Sequence, residues 1–169
     1  MPLTKDYSFE SARLRYRGIE RRDAEDIVRW RSDPANYRNF FNARPITMED
    51  HLAWFDGYLK DTKRYDFLIE TPDGKPVGTC GLSAIDESGC EISYMIGDVG
   101  SRGKGYATEA LRALTEVAFT ELEVDHVDAR VLAHNKASAK VALGGGYSEH
   151  ERVFRITRPG SAVDEQQER

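Results

Sequence analysis

Cysteine is scarce in this chain of 169 residues: it has two, Cys80 and Cys90. They lack the spacing of a metal site and have no histidine cluster beside them, so they read as reduced, mostly buried thiols, and no metal is expected. Long apolar runs are missing too. No stretch approaches the ~20 residues that cross a bilayer, and residues 1–10 lack the apolar segment of a secretory signal, so no membrane partner and a cytoplasmic protein are expected. There is no basic block, and the net charge is −5. That argues against a nucleic-acid partner, but leaves room for a local basic pocket, because net charge says little about one cleft. Internal repeats and interior linkers are also absent. What is present, 40% hydrophobic and 31% charged residues, suits one folded domain over 1–158. A flexible polar tail over 159–169 follows, ending in Asp164-Glu165-Gln166-Gln167-Glu168-Arg169.

Periodicity then orders the elements. Residues 12–17 alternate, with Leu14 and Tyr16 on one face, as in a strand. Asp23 is placed to cap a helix through about Arg31, with Ala24, Ile27 and Val28 inward, and Ser32-Asp33-Pro34 breaks it. Thr47 and Asp50 resemble a capping box opening a helix through about Lys60. Met48, Leu52, Phe55 and Leu59 form its expected core stripe, with His51, Trp54 and Tyr58 as a second stripe. Short β-type runs follow at 65–70, 76–85 and 91–96, the first two joined by the turn text Thr71-Pro72-Asp73-Gly74-Lys75. A helix with Ala107, Leu111, Leu114 and Ala118 on one side comes next, then a strand over 126–133, a short helix over 136–143 and a last β-type stretch over 147–157. The order β-α-α-β-β-β-α-β-α-β predicts an α/β (α+β) fold, a mixed sheet with helices packed on it.

Between the third meander strand and the long helix lies Ser101-Arg102-Gly103-Lys104-Gly105-Tyr106-Ala107. A helix N-terminus offers unpaired N–H groups and partial positive charge, which suits an anion. Gly103 and Gly105 let a phosphate approach the backbone, and Arg102 and Lys104 add full charges. A Walker loop fails, because Lys104 precedes Gly105 and Asp98 stands where the first glycine is required. A dinucleotide fingerprint fails at Thr108, and the preceding strands form a meander instead of a βαβ opening. Arg/Gln-x-x-Gly-x-Gly/Ala fits, through Arg102, Gly105 and Ala107. A bare strand-to-helix turn without a ligand is the alternative for the loop taken alone.

With Ile92-Ser93-Tyr94-Met95-Ile96 before it and Thr108-Glu109-Ala110 after it, the loop resembles the acetyl-CoA motif of the GNAT N-acetyltransferases. A second block, Asn135-Lys136-Ala137-Ser138 followed by Gly146-Tyr147, resembles the family's Asn-x-x-Ser…Gly-Phe/Tyr pattern. The resemblance covers about Leu14 to Tyr147. It implies a mostly antiparallel central sheet flanked by helices, acetyl-CoA as co-substrate without a metal, and a primary amine as acceptor.

By the same resemblance, the backbone of Tyr94, Met95 and Ile96 would pair with pantetheine, and an N–H there would polarise the thioester carbonyl. The loop from Arg102 through Gly103, Lys104, Gly105 and Tyr106 to Ala107 would hold the pyrophosphate. Asn135 would bind pantetheine, cap the next helix, or do both. A base must take a proton from the amine. Glu91 is the first candidate and His134 the second; the alternatives are an ordinary strand carboxylate and an exposed strand-end residue. Many relatives protonate the leaving thiolate with a tyrosine seven residues after the Asn, where Ala142 stands here. The resemblance to the ribosomal-protein acetyltransferase subgroup, which uses the Ser of Asn-x-x-Ser, implies Ser138 as the acid, unless it is only a small packing residue.

The acceptor is expected among Trp30, Arg31, Arg38, Phe41, His51 and Trp54, where rings for stacking and arginines for phosphate pairing suit a nucleotide. Extra core or a dimer contact is the alternative. The stretch resembles the branch that acetylates a UDP-linked amino sugar, with Ser32 replacing an Asn of that branch. A ribosomal-protein N-terminal amine and a polyamine are the other acceptors, and a catalytically silent acyl-CoA-binding module is the non-enzyme reading. After Gly146-Tyr147 only one β-type stretch remains where relatives have two strands, so the last strand is expected to be missing or very short, or completed by a partner. The chain is expected to be a monomer or homodimer.

Overall fold

The three β-type runs of the middle of the chain form a meander: β3 (Tyr65–Glu70), β4 (Pro76–Ser83) and β5 (Gly89–Ile96). This is a computed structural model that describes residues 3–160. Two short strands precede the meander, β1 (Ser8–Glu10) and β2 (Arg15–Gly18), and one follows, β6 (His126–Asp128). The sheet order is β1-β2-β3-β4-β5-β6. Every pair up to β5 is antiparallel, and β6 joins β5 in parallel. This is the mixed, mostly antiparallel sheet flanked by helices that the sequence predicts.

Side chains alternate across a strand, and β3 shows which face meets which helix. Phe67 and Ile69 join Leu14, Tyr16, Val77 and Leu82 in the main core, closed by α4 (Tyr106–Glu121) through Ala110, Leu111, Leu114, Val117 and Ala118. The α4 stripe was expected to begin at Ala107, which is only half-buried. Leu68, on the other face of β3, packs with Ile27 and Trp30 of α1 (Ala24–Ser32) and with Phe55 and Tyr58 of α3 (Met48–Tyr58). Both cysteines are buried and unbonded. Burial pushes the Cys90 thiol up to about 11 and Cys80 higher still, so neither is a nucleophile near neutral pH.

Several local expectations are corrected. Asp23 stands at the N-cap of α1, but its side chain does not cap the helix. It is 6% exposed, held by two 2.8 Å bonds from the Arg17 guanidinium and one of 2.7 Å from the Glu20 amide, and it closes a single 3-10 turn before α1. Thr47 does open α3 with Asp50 as a capping box, but the helix is rotated from the expected stripe. His51, Phe55 and Tyr58 are buried, while Met48 is 40% and Leu59 49% exposed. Both stripes are apolar enough to face inward, and contact with Ile27, Trp30 and Leu68 selects between them. Pro34–Tyr37 forms a one-turn α2, capped by Asp33 at the Ala35 amide. β6 stops at Asp128 instead of 133.

The predicted β stretch over 147–157 is not a strand, and Val153, Phe154 and Ile156 there are 76%, 90% and 99% exposed. A strand is held by its neighbour's ladder, and three-residue β6 offers almost none. Of the expected tail over 159–169, residues 161–169 lie outside the described residues.

Candidate active site

The site is built where two strands part. β5 pairs with β6 only over Gly89–His126, Cys90–Val127 and Glu91–Asp128, yet β5 continues to Ile96. The main chain of Tyr94, Met95 and Ile96 therefore has no β6 ladder beside it. Beyond Ile96, the Gly97 and Asp98 amides both donate to the Val77 carbonyl, at 2.9 and 3.1 Å. The chain then makes one 3-10 turn at Val99–Ser101 and enters the glycine loop.

Gly103 and Gly105 have φ of +73° and +78°, left-handed values that cost an L side chain roughly 1 kcal/mol or more. Gly105 is also the N-cap of α4, and no side chain caps that helix. The leading amides of a 16-residue helix are thus left for another acceptor, at the positive end of its dipole. The cradle fits a pyrophosphate. Lys104 is exposed beside it, with Tyr106 and Ala107 half-buried in the first helical turn.

Arg102 behaves differently from expectation. Its Nε donates to the Ile96 carbonyl at 3.3 Å, and its guanidinium also donates to Asn36 Oδ1. Asn36 is buried and donates from Nδ2 to the Trp30 carbonyl at 2.8 Å. Arg102 braces the loop against α1 and α2 in addition to lending charge.

A second brace comes from residues that sequence reading missed. Arg13 donates to the Lys104 carbonyl at 2.8 Å and from Nε to Glu109 at 2.7 Å, and lies over the Tyr106 ring at 4.9 Å. Glu109 also accepts from the Arg13 amide at 2.7 Å and the Ser11 hydroxyl at 2.6 Å. Burial pushes the Glu109 carboxyl up, but these bonds outweigh it and hold the group below its ordinary value. An acid in the first turn of α4 was the only local sign of this role.

On the α4 face of β5, the Tyr94 hydroxyl lies 2.9 Å from Ser138 Oγ and donates to the Ser138 carbonyl at 3.1 Å. Burial pushes the Tyr94 phenol up, partly offset by Ser138. Ser138 stands in the first turn of α5 (Lys136–Gly144), where Asn135 caps the helix by accepting from the Ser138 amide at 3.1 Å. The Tyr94–Ser138 contact ties β5 to α5.

The other face of β5 carries Glu91, Ser93 and Met95. Met95 packs on the α1–α3 core, and strand alternation puts Glu91 and Ser93 beside it. The Arg130 guanidinium lies 3.5 Å from Glu91 and 5.0 Å from the Phe41 ring. His134 is exposed, and its Nε2 is 3.1 Å from the Arg38 carbonyl. The candidate acid and base thus sit on opposite faces of one parted strand.

The expected acceptor residues do not stay together. Trp30 is 4% exposed in the core, and a Cβ on Gly97 would lie 2.1 Å from its ring. It has no face left to stack on a ligand. His51 and Trp54 do gather, their rings 5.6 Å apart, with Arg31 over Phe40 at 5.3 Å and close enough to His51 to disfavour its charge. Trp54 also stacks on Tyr58 at 5.2 Å, with Arg64 over its ring. Phe41 is 60% exposed and Arg38 is exposed; both flank the 134 and 130 side of the cleft. Among the described residues no group of three or more His, Cys, Asp or Glu side chains gathers as a metal site, and no helix is long and apolar enough to cross a membrane.

Comparison with known proteins is consistent with this geometry. Residues 13–148 match the family model described as "Acetyltransferase (GNAT) domain". Among curated proteins, one of Bacillus licheniformis named "Uncharacterized N-acetyltransferase p20" is 29% identical over 137 residues, covering 76% of this chain and 75% of that protein. Among solved structures, spermidine N-acetyltransferase from Vibrio cholerae in complex with CoA and spermine superposes with a TM-score of 0.79 at 18% identity, over 87% and 89% of the two chains. Ribosomal-protein-S5-alanine acetyltransferase from Vibrio fischeri gives 0.65 at 21% identity, over 85% and 84%.

Proposed function

Since this chain belongs to the GNAT acetyltransferase family, we propose that it moves an acetyl group from acetyl-CoA to a primary amine held against the Glu91 face of β5. The observation that carries this is the early end of the β5–β6 ladder beside an uncapped α4 N-terminus. Acetyl-CoA supplies the activated carbonyl when bound. The α4 amides and Lys104 hold its pyrophosphate, and the free edge of Tyr94, Met95 and Ile96 pairs with its pantetheine. Glu91 takes the proton released by the attacking amine, and the Tyr94–Ser138 pair supplies one to the departing thiolate. His134 is the second candidate base: its Nε2 donates to the Arg38 carbonyl, which leaves Nδ1 to accept a proton.

For the acceptor we propose a small molecule with a ring and phosphates, of the nucleotide-linked amino-sugar kind. Exposed Phe41 offers stacking surface, and Arg31, Arg38 and Arg44 lie along the same segment. The Vibrio cholerae neighbour is in complex with spermine, but a polycation is poorly matched to a segment this rich in arginine. An N-terminal peptide amine is the second reading, and the Vibrio fischeri neighbour is a ribosomal-protein-S5-alanine acetyltransferase. Acetyl-CoA consumption measured over UDP-amino sugars, N-terminal peptides and polyamines tests these. Turnover of a UDP-amino sugar is expected. A signal from peptides alone overturns the acceptor, and acetyl-CoA binding without turnover of any amine overturns the enzyme in favour of a silent acyl-CoA-binding module.

A further inference from the structure

Among the described residues, two buried polar atoms on the α1–α3 side have no hydrogen-bond partner: Arg31 Nε and His51 Nε2. His51 is 4% exposed. Buried polar groups almost always find partners, and an unmatched one marks a missing ligand or water, or strain. These two neighbour Trp54 and Arg64: the His51 and Trp54 rings are 5.6 Å apart, Arg64 lies over Trp54 at 5.2 Å, and the Arg31 charge acts on His51; the charges there do not balance. Asp66 is taken by Arg64 through bonds of 2.6 and 3.2 Å. Burial first, and then Arg64, disfavour charge on Arg31, with Asp66 opposing them. Burial, followed by Arg31, likewise lowers the His51 pKa against the pull of Asp23 and Asp66, which keeps the imidazole neutral near pH 7.

A guanidinium N–H can only donate, and a neutral imidazole can donate its N–H alongside it. Water would satisfy the donors but leave the excess positive charge. An oxyanion satisfies both, and guanidinium is the side chain best shaped to hold one. The cluster also shares a sheet face with Glu91. Asp66 pairs with Gly81 and Gly81 with Ser93, one row across the face that carries Glu91.

We propose that Arg31 and His51 form an oxyanion subsite for the acceptor, so that the amine substrate carries a phosphate or carboxylate. The proposal rests on the acetyl-transfer reading above and adds which group of the acceptor is recognised and where. It is tested on the full chain with paired acceptors that differ only in the anion: glucosamine 6-phosphate against glucosamine, and an amino acid against its amide, with spermidine as the cationic control. One anionic member is expected to exceed its neutral partner in kcat/KM by about tenfold or more, as a charge-assisted contact warrants, and the pair that responds identifies phosphate or carboxylate. Arg31→Gln removes the preference through acceptor KM, with acetyl-CoA KM unchanged, and Arg31→Lys restores part of it. Equal or better turnover of the neutral amines or spermidine overturns the subsite, as does an Arg31→Gln ratio equal to wild type.

A measurement without turnover separates this from the parent reading. Inorganic phosphate or acetate should raise the thermal midpoint of the wild type more than that of Arg31→Gln. Equal shifts overturn the subsite. A larger wild-type shift with no amine acetylated upholds the subsite and overturns the acetyl transfer.

Discussion

Replacing Glu109 with Gln would test whether the phosphate loop is held by side chains from the other end of the sheet. The carboxylate is 15% exposed and accepts from Ser11, the Arg13 amide and the Arg13 guanidinium. Bonds to a charged acceptor contribute about 1.5–3 kcal/mol each when well shielded. The guanidinium is 50% exposed, so its share is discounted to ~0–1 kcal/mol. Gln keeps one acceptor oxygen but turns an NH2 toward the donors, for a net loss of about 2 kcal/mol. In a domain of this size that lowers Tm by roughly 4–8 °C.

The pH dependence follows from the lowered Glu109 pKa. Its folded value lies below the ordinary 4.5, so the stabilisation is fully present above that ordinary value and fades as pH falls through the folded one. Denaturation in urea at pH 7 and near pH 4 should therefore show a wild-type advantage that shrinks in acid, with an unchanged m value. Release of Arg13 also frees the Lys104 carbonyl, so acetyl-CoA KM should rise more than kcat falls. A loss within the ~0.5 kcal/mol of ordinary surface changes, or one equal at both pH values, would refute the reasoning and make the pair a screened surface contact.

Ser138→Ala should lower kcat with little change in acetyl-CoA affinity, and Tyr94→Phe should do the same if the two hydroxyls act as a pair; unchanged turnover in both removes them from proton transfer. Arg102→Glu should weaken acetyl-CoA binding, measured by calorimetry, and Asn36→Ala should weaken it less, by loosening the Arg102 brace; unaltered constants in both mean the α4 amides do the holding alone. Gly97→Ala should destabilise by about 2 kcal/mol or more in urea titration, because its methyl meets the Trp30 ring; a neutral change would mean that Trp30 is free to move and to serve a ligand.

Much of the site was legible because it is local. The left-handed turns at Gly103 and Gly105, the start of α4, the Asn135 cap and the three meander runs each depend on residues within a few positions, where periodicity and backbone preference act directly. The Thr47–Asp50 box was legible for the same reason. The residues there fixed where α3 begins but not which of two apolar stripes it buries, since Ile27, Trp30 and Leu68 had to arrive first. Trp30 read as a ligand platform because the sequence cannot show Gly97 lying under its ring.

The pattern of glycines, strand runs and the Asn135–Ser138 block was enough by itself to point to the family, which the match over residues 13–148 bears out. Only the tertiary structure tied Arg13 to Glu109, 96 residues apart, and Arg102 to Asn36, and left Arg31 and His51 without partners. Those relations depend on which surfaces meet when the sheet closes over its helices. That is settled by the packing of the whole chain, and no short window of sequence contains it.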